Sequence, residues 1–123
     1  MNIINFNTPF ISELGEPVRR VRYDHTKTNL DADGNQVPTV AVDDDGNVIY
    51  ETVTVKELVI QCLYAQTKDN ASFDDKAFAG RIARKIASDS SYYYDIEIAA
   101  IKHAVGRIAA VALVAQVADL IEA

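Results

Sequence analysis

Hydrophobic residues in the second half of the chain recur at the spacing of an α-helix. Thr54 and Glu57 form a capping box, in which each side chain accepts a hydrogen bond from a free backbone amide of the first turn. The apolar positions that follow lie three or four residues apart: Val55, Leu58, Val59, Cys62 and Leu63. The pattern predicts a helix that ends near Gln66.

Three further helices are predicted from the same kind of pattern. Ser72 and Asp75 give a weaker start signal for a second helix, which runs to about Ala87. Asp95 is the predicted N-cap of a third helix, and a break or bend is expected near Gly106 to Ala109 because glycine costs about 1 kcal/mol relative to alanine inside a helix. A fourth helix is expected from about residue 110 to residue 121.

The first part of the chain contains short runs rich in β-branched and aromatic residues, bounded by turn formers. Four strands are predicted: Ile3 to Phe6, Val18 to Tyr23, Val37 to Val42 and Val48 to Val53. The Asp-Asp-Asp-Gly-Asn sequence at 43–47 favours a tight turn, so we expect the last two strands to pair antiparallel. A similar sequence at 31–35 predicts a second, related hairpin.

Together these patterns predict an α+β fold, with N-terminal antiparallel strands and hairpins followed by three to four packed α-helices. The 123 residues fit one domain, 1–123, with a strand region at 1–53 and a helical region at 54–123. A hydrophobic fraction of 49% and a charged fraction of 24% are typical of a folded globular protein.

The fourth predicted helix is apolar on nearly every side between Ile108 and Val114, whereas a surface helix of a small domain should have a polar face. We therefore expect a second copy of the protein to cover part of it, in a homodimer or higher oligomer. The predicted self-association residues are Val105, Ile108, Val111, Ala112 and Ala115. The alternative is that this helix forms the central core of a monomer.

The formal net charge of −6 is distributed unevenly. Up to Thr54 there are nine acidic and four basic residues, and from Val55 onward nine acidic and eight basic residues. Because phosphate backbones attract clustered cations, this balance argues against direct binding of nucleic acid. The densest basic cluster is Arg19, Arg20 and Arg22, for which aspartates of the same chain or of a neighbouring copy are the expected partners.

The aspartate-rich turns resemble the start of a calcium-binding EF-hand loop, but the match is incomplete. The sixth and twelfth positions should hold glycine and a bidentate carboxylate. They hold Gln36 and Val42 in the first turn, and Val48 and Thr54 in the second, so we expect ordinary hairpin turns.

Other chemistry-bearing patterns are equally incomplete. His25 and His103 are the only histidines and Cys62 is the only cysteine, so zinc-ligand spacing is missing and an inert buried thiol is expected. The sequence holds neither a nucleophile elbow nor a phosphate-binding glycine loop. We therefore expect a non-enzymatic protein without catalytic residues, metal or cofactor.

The run Tyr92, Tyr93, Tyr94 is the most unusual local feature. Tyrosine offers a large contact area at low entropic cost and is enriched at interfaces. In an extended segment, Tyr93 would point away from the other two rings. Either one or two rings pack in the core, or the run contacts a partner. For the second case, the candidate partner-binding residues are the three tyrosines with Asp43, Asp44 and Asp45.

Two stretches of the chain resemble a family of small accessory proteins, of unknown function, from tailed bacteriophages. One is the Gly-Glu-Pro-Val sequence from Gly15 to Val18, and the other begins at Thr52. The second carries the motif residues Thr54, Val55, Lys56, Glu57, Leu58, Val59, Asp95, Ile96, Ala99, Ile101, Lys102, Val105, Gly106, Val114, Gln116, Val117 and Leu120. The resemblance implies a viral origin and action through other proteins, and it transfers no catalytic residue. The acidic region from Asp24 to Glu51 departs from the pattern.

The functional expectation is therefore a bacteriophage accessory protein that acts by protein binding and self-association, with a host or phage protein as a further partner. One alternative is a virion structural or assembly component, such as a head or tail chaperone. Another is an acidic mimic of nucleic acid that blocks a host defence or regulatory protein. The expected location is the host cytoplasm, or the virion under the first alternative. The longest uncharged C-terminal stretch, 108–118, is shorter than the roughly twenty residues of a membrane-spanning helix.

Overall fold

A computed structural model describes residues 2–68 and 71–122. It confirms the α+β class, with antiparallel strand pairs that precede four packed helices. In chain order the elements are β1 (Asn2–Ile3), β2 (Arg19–Val21), β3 (Tyr23–Leu30), β4 (Gln36–Val40), β5 (Tyr50–Thr52), α1 (Val55–Gln66), α2 (Phe73–Ala87), β6 (Tyr92–Tyr93), α3 (Asp95–Ile108) and α4 (Val111–Glu122).

The chain divides into two compact units. The helical unit comprises Met1–Val18 and Val53–Ala123, and the β unit is Arg19–Thr52. The chain returns from the β unit to the helical unit between Thr52 and Val53. The predicted change from strands to helices, after residue 53, lies next to this boundary. The prediction that the whole chain is one domain stays a prediction.

The helical unit holds the hydrophobic core. α1 packs against both α2 and α3, and α4 packs against α3. The largest fully buried side chains are Tyr93, Leu63, Ile82, Ile86, Ile101, Val55, Val59 and Val105. The predicted capping box of α1 is confirmed, because Thr54 Oγ1 accepts from Glu57 N and Glu57 Oε1 accepts from Thr54 N.

The start of α3 differs by one residue from the prediction. Tyr94, not Asp95, is the N-cap, and its backbone N–H donates to Glu97 Oε1 at 2.8 Å. Glu97 at the third helical position therefore supplies the capping acceptor, which shifts the helix start. At the other end α3 continues past Gly106 to Ile108, and the predicted break lies at Ala109, whose N–H donates to the carbonyl of Val105.

Three chain segments of the helical unit meet in a closed ring of backbone hydrogen bonds. Val18 N donates to Phe10 O at 2.9 Å, Phe10 N donates to Val53 O at 2.8 Å, and Val53 N donates to Val18 O at 2.9 Å. The segment before α1 is thereby fixed to the N-terminal region. Elsewhere in the helical unit, β1 pairs antiparallel with β6, with Asn2 opposite Tyr93 and Ile3 opposite Tyr92.

The β unit is organised around one long chain stretch, β2 followed by β3. β5 pairs with β2, and β4 pairs with β3, both antiparallel. A second ring of hydrogen bonds joins the three segments where the two pairings meet. Arg22 N donates to Ile49 O, Ile49 N donates to Ala41 O, and Ala41 N donates to Arg22 O, at 2.9, 3.0 and 2.9 Å.

The predicted pairing of Val37 to Val42 with Val48 to Val53 is therefore wrong beyond the turn. Only the bridge between Val42 and Val48, with the bond between Ala41 and Ile49, joins these two segments. Instead, β4 pairs with β3 and β5 pairs with β2. The continuous β2–β3 stretch offers a longer ladder than a five-residue hairpin arm would. β3 itself was not predicted, because its residues are mostly polar.

The two aspartate turns are confirmed as a related pair. In each, the first aspartate accepts from two backbone amides through Oδ1: Asp31 from Asp33 and Asn35, and Asp43 from Asp45 and Asn47, at distances of 2.9 to 3.0 Å. The glycines, Gly34 and Gly46, have φ values of +82° and +83°. This left-handed conformation strains other residues, which explains the glycine in both turns.

Candidate interaction surfaces

The predicted self-association residues lie on α3 and α4 of the helical unit, and most of them face outward. Val111 is 81% exposed and Ile108 is 45% exposed, while Ala115 is exposed and Ala112 is half-buried. Val114, 36% exposed, follows Val111 at helical spacing. We call the set Ile108, Val111, Val114 and Ala115 the α4 face.

Val105 does not belong to that outward surface, which corrects the prediction. It is 1% exposed and lies in the core with Ile101 and Leu113. The sequence pattern places Val105 and Ile108 on one stripe of α3, but the chain reverses at Ala109 and α4 covers the first of them. Val105 is therefore buried by the helix that follows the turn, whereas Ile108 stays 45% exposed.

An apolar groove of about 380 Å³ adjoins the α4 face. Leu58 of α1 and Ile108, Ala110 and Leu113 of the α3–α4 corner are among its lining residues. Val111 follows Ala110 directly, and its exposed side chain lines a second depression, of about 540 Å³, together with Ala112 and Ala115. The helical unit thus presents a protruding apolar side chain next to an apolar depression.

The charges around the α4 face are separated along the chain. Residues 108–118 carry no formal charge, Arg107 precedes them, and Asp119 and Glu122 follow. All three charged side chains are exposed. The apolar surface is therefore bounded by a cation at one end and by carboxylates at the other.

The tyrosine run divides as alternation predicts. Tyr93 is 1% exposed and packs edge-on against Phe6, with the ring centroids 5.3 Å apart, while Tyr92 and Tyr94 are exposed. The Tyr93 hydroxyl donates to Ser90 O at 2.7 Å. Burial, with the nearby Glu97 and Asp89 carboxylates, raises the pKa of Tyr93 to about 12. Tyr93 is therefore a core residue, and only its two neighbours can contact a partner.

Asp43, Asp44 and Asp45, the acidic candidates for partner binding, are exposed in the second turn of the β unit. The Asp43 carboxylate is occupied by the turn itself, through the two backbone amides described above. Asp44 and Asp45 are thus the carboxylates that the turn leaves for contacts outside it.

The β unit also has an apolar face that was not predicted from the sequence. Tyr23 lies opposite Val40, Val42 opposite Val48, and Val21 opposite Tyr50, and opposed residues of an antiparallel pair project to the same side. Each pair is linked to the next by a two-residue step along one strand, which preserves the side. The resulting sheet face consists of Val21, Tyr23, Val40, Val42, Val48 and Tyr50.

The sheet face is open and its unit lacks a core. No residue of Arg19–Thr52 is buried, and Tyr50 and Val42 are 59% and 55% exposed. The signal for this face is the alternation of apolar residues at 21 and 23, 40 and 42, and 48 and 50. The predicted pairing of Val37 to Val42 with Val48 to Val53 hid this alternation. The face becomes continuous only when β4 and β5 both pair with the β2–β3 stretch.

Basic residues lie at the β2 end of the β unit. Arg20 Nε lies 2.8 Å from Glu51 Oε1, so a glutamate of the paired strand is a partner of this arginine, for which aspartates were expected. Arg22, Tyr23 and His25 are among the residues that line a neighbouring surface depression of about 560 Å³. This end of the unit is cationic, whereas the turn at 43–47 is anionic.

A cleft of about 620 Å³ lies among α1, α2 and α3. Asp75 of α2 and His103 and Arg107 of α3 line it, above apolar residues that include Phe78. The hydroxyl among its described lining residues is that of Thr67, which already donates to the carbonyls of Leu63 at 3.0 Å and Tyr64 at 3.2 Å. Its polar groups do not form a nucleophile paired with a base.

Cys62 is buried in the core of the helical unit, and burial raises the pKa of its thiol. Within residues 2–68 and 71–122, no cluster of three or more His, Cys, Asp or Glu side chains could hold a metal ion. The helices of the same residues are too short or too polar to cross a membrane.

Comparison with known proteins gives no relative from which a role could be transferred: no family model, curated protein or solved structure matches the chain.

Proposed function

We propose that this chain is a non-enzymatic accessory protein that acts by binding protein, including a second copy of itself. The observation that carries the proposal is the exposure of Val111 beside the apolar groove at the α3–α4 corner. Monomeric proteins rarely leave contiguous apolar surface open to water, and such surface marks interaction sites. A bacteriophage origin is part of the proposal and rests on the sequence resemblance alone.

A second copy is the occupant that fits the α4 face best. In a dimer with a two-fold axis, both partners contribute the same surface. Each feature of that surface must therefore face a complementary feature of the same surface on the other copy. Val111 of one copy complements the groove lined by Leu58 and Leu113 of the other. The same rotation brings Arg107 of one copy towards Asp119 of the other, which opposes charges of different sign.

The test compares two substitutions that place a carboxylate at an exposed apolar helical position. Val111→Glu puts a charge in the proposed contact, and Ile96→Glu puts one in the first turn of α3, away from it. We expect Val111→Glu to weaken association at the α4 face by at least about tenfold, which corresponds to about 1.4 kcal/mol. Ile96→Glu should leave it unchanged, with sedimentation equilibrium as the measurement. Equal association of Val111→Glu and the wild type would exclude the α4 face as the contact.

The assembly alternative has specific support from the second apolar surface, the sheet face of the β unit. A chain with two separate contact surfaces can form assemblies larger than a dimer, as an assembly component requires. The mimic alternative needs carboxylates arrayed on one face. The aspartates occur at two turns, and Asp31 and Asp43 are each engaged by backbone amides. We therefore place assembly second.

A further inference from the structure

The β unit cannot derive its stability from a core of its own. None of its 34 residues, Arg19–Thr52, is buried. Isolated two-stranded hairpins are at best marginally stable in water, and independent stability needs three or more strands with a hydrophobic face or packing against a helix. A cover on the exposed apolar sheet face, from outside the unit, would therefore stabilise it.

The charges at the two ends of the sheet face identify that cover. The β2–β5 ladder starts where Arg19 faces Thr52, and Arg19, two residues before Val21, projects to the side of the sheet face. From there the sheet face runs through Tyr50 and Val48 to the turn that carries Asp44 and Asp45. At about 3.3 Å per residue, the cationic and anionic ends are about 20 Å apart.

We infer that the sheet face binds the sheet face of a second copy, with the two β units antiparallel. A surface that is cationic at one end, apolar in the middle and anionic at the other end is complementary to itself under a two-fold rotation. The rotation places Asp44 and Asp45 of each copy at Arg19 of the other. A different protein would match this arrangement of charges only by chance, whereas a second copy always carries it.

This contact is separate from the α4 face, so the two can be tested independently. Val111→Glu removes the α4 contact and leaves the sheet face intact. In that background the chain should still form a dimer, through the β unit. A monomer at every concentration in sedimentation equilibrium would overturn the inference while leaving the α4 proposal standing.

Charge reversal tests the polarity of the contact. In the Val111→Glu background, Asp44→Lys with Asp45→Lys should weaken dimerisation by at least about tenfold, and so should Arg19→Glu. Mixing the two reversed variants should restore a heterodimer, since one variant is cationic and the other anionic at both ends, so that unlike charges meet at each end of the contact. This restoration also shows that both variants are folded.

The first turn provides a matched control. Ala32→Lys with Asp33→Lys alters the equivalent positions of a turn with the same hydrogen bonds, at the far end of the β3–β4 hairpin. We expect it to leave dimerisation within about twofold of the parent. Equal weakening by both turn variants, or failure of the mixed variants to associate, would contradict the proposed antiparallel contact.

Discussion

The ammonium group of Lys85 lies 2.7 Å from Glu97 Oε1, which ties the end of α2 to the start of α3. The same oxygen accepts the backbone N–H of Tyr94. The Lys85 ammonium also lies 5.0 Å from the ring centroids of both Tyr93 and Tyr94. One ion pair thus fixes the connection between α2 and α3, which contains the buried Tyr93 and the exposed Tyr94.

Glu97→Ala should lower the free energy of unfolding by about 2 kcal/mol, because it removes a partly buried ion pair and the acceptor for Tyr94 N–H. Glu97→Gln should cost less, since an acceptor oxygen remains. Glu122→Ala, at the exposed end of α4, is the control and should change stability by less than about 0.5 kcal/mol. Urea titration followed by circular dichroism measures all three, and equal values for Glu97→Ala and Glu122→Ala would contradict the assignment.

Tyr93 should give a late phenol titration that Tyr93→Phe removes. Its pKa is raised to about 12 in the folded state from the ordinary value of 10.0, so folding favours the protonated phenol. The stabilisation is fully present below pH 10 and is lost as the pH rises towards 12. Ultraviolet absorbance of the phenolate measures this step. Persistence of the late step in Tyr93→Phe would assign it to another tyrosine, and Tyr92→Phe should leave it in place.

The same substitution should have opposite effects at two glycines. Gly46→Ala places a side chain at φ +83° and should speed amide exchange at Asp43 and Asn47 about fivefold, which corresponds to about 1 kcal/mol. Gly80→Ala lies within α2, where an added Cβ meets nothing within 4 Å, and should stabilise the helical unit by about 0.5 to 1 kcal/mol. Hydrogen exchange measures the first effect and urea unfolding the second. Stabilisation of the turn by Gly46→Ala would contradict its assigned conformation.

Cys62 should resist thiol reagents in the folded protein. It is 5% exposed, and burial raises its pKa, so both access and the thiolate fraction are reduced. We expect labelling by a chromogenic disulfide reagent to follow the unfolding curve in urea. Fast labelling without denaturant would show that the groove beside Leu58 opens to the thiol.

The helices could be predicted from the sequence because their signals are local. A capping box at Thr54, apolar spacing through Leu63 and the start signal at Ser72 depend on residues within a few positions of one another. The structure confirms these helices to within a residue or two. The outward position of Val111 followed from the excess of apolar residues in α4.

The strand pairing could not be predicted, because it depends on residues far apart in sequence. β3 contains Asp24, Thr26 and Lys27, and no apolar alternation marks it as a strand. Without it, Val37 to Val42 had no partner except the next strand. The sheet face went unrecognised for the same reason, and Val105 was misplaced because the turn at Ala109 decides which residues α4 covers.

The central claim is that copies of this chain associate through exposed apolar surface. Sedimentation equilibrium of the unaltered protein, over a wide range of concentrations, tests it most directly. We expect a mass that rises with concentration above the 13.5 kDa of one chain, to a dimer or beyond. A mass of 13.5 kDa at every concentration would contradict both proposed contacts.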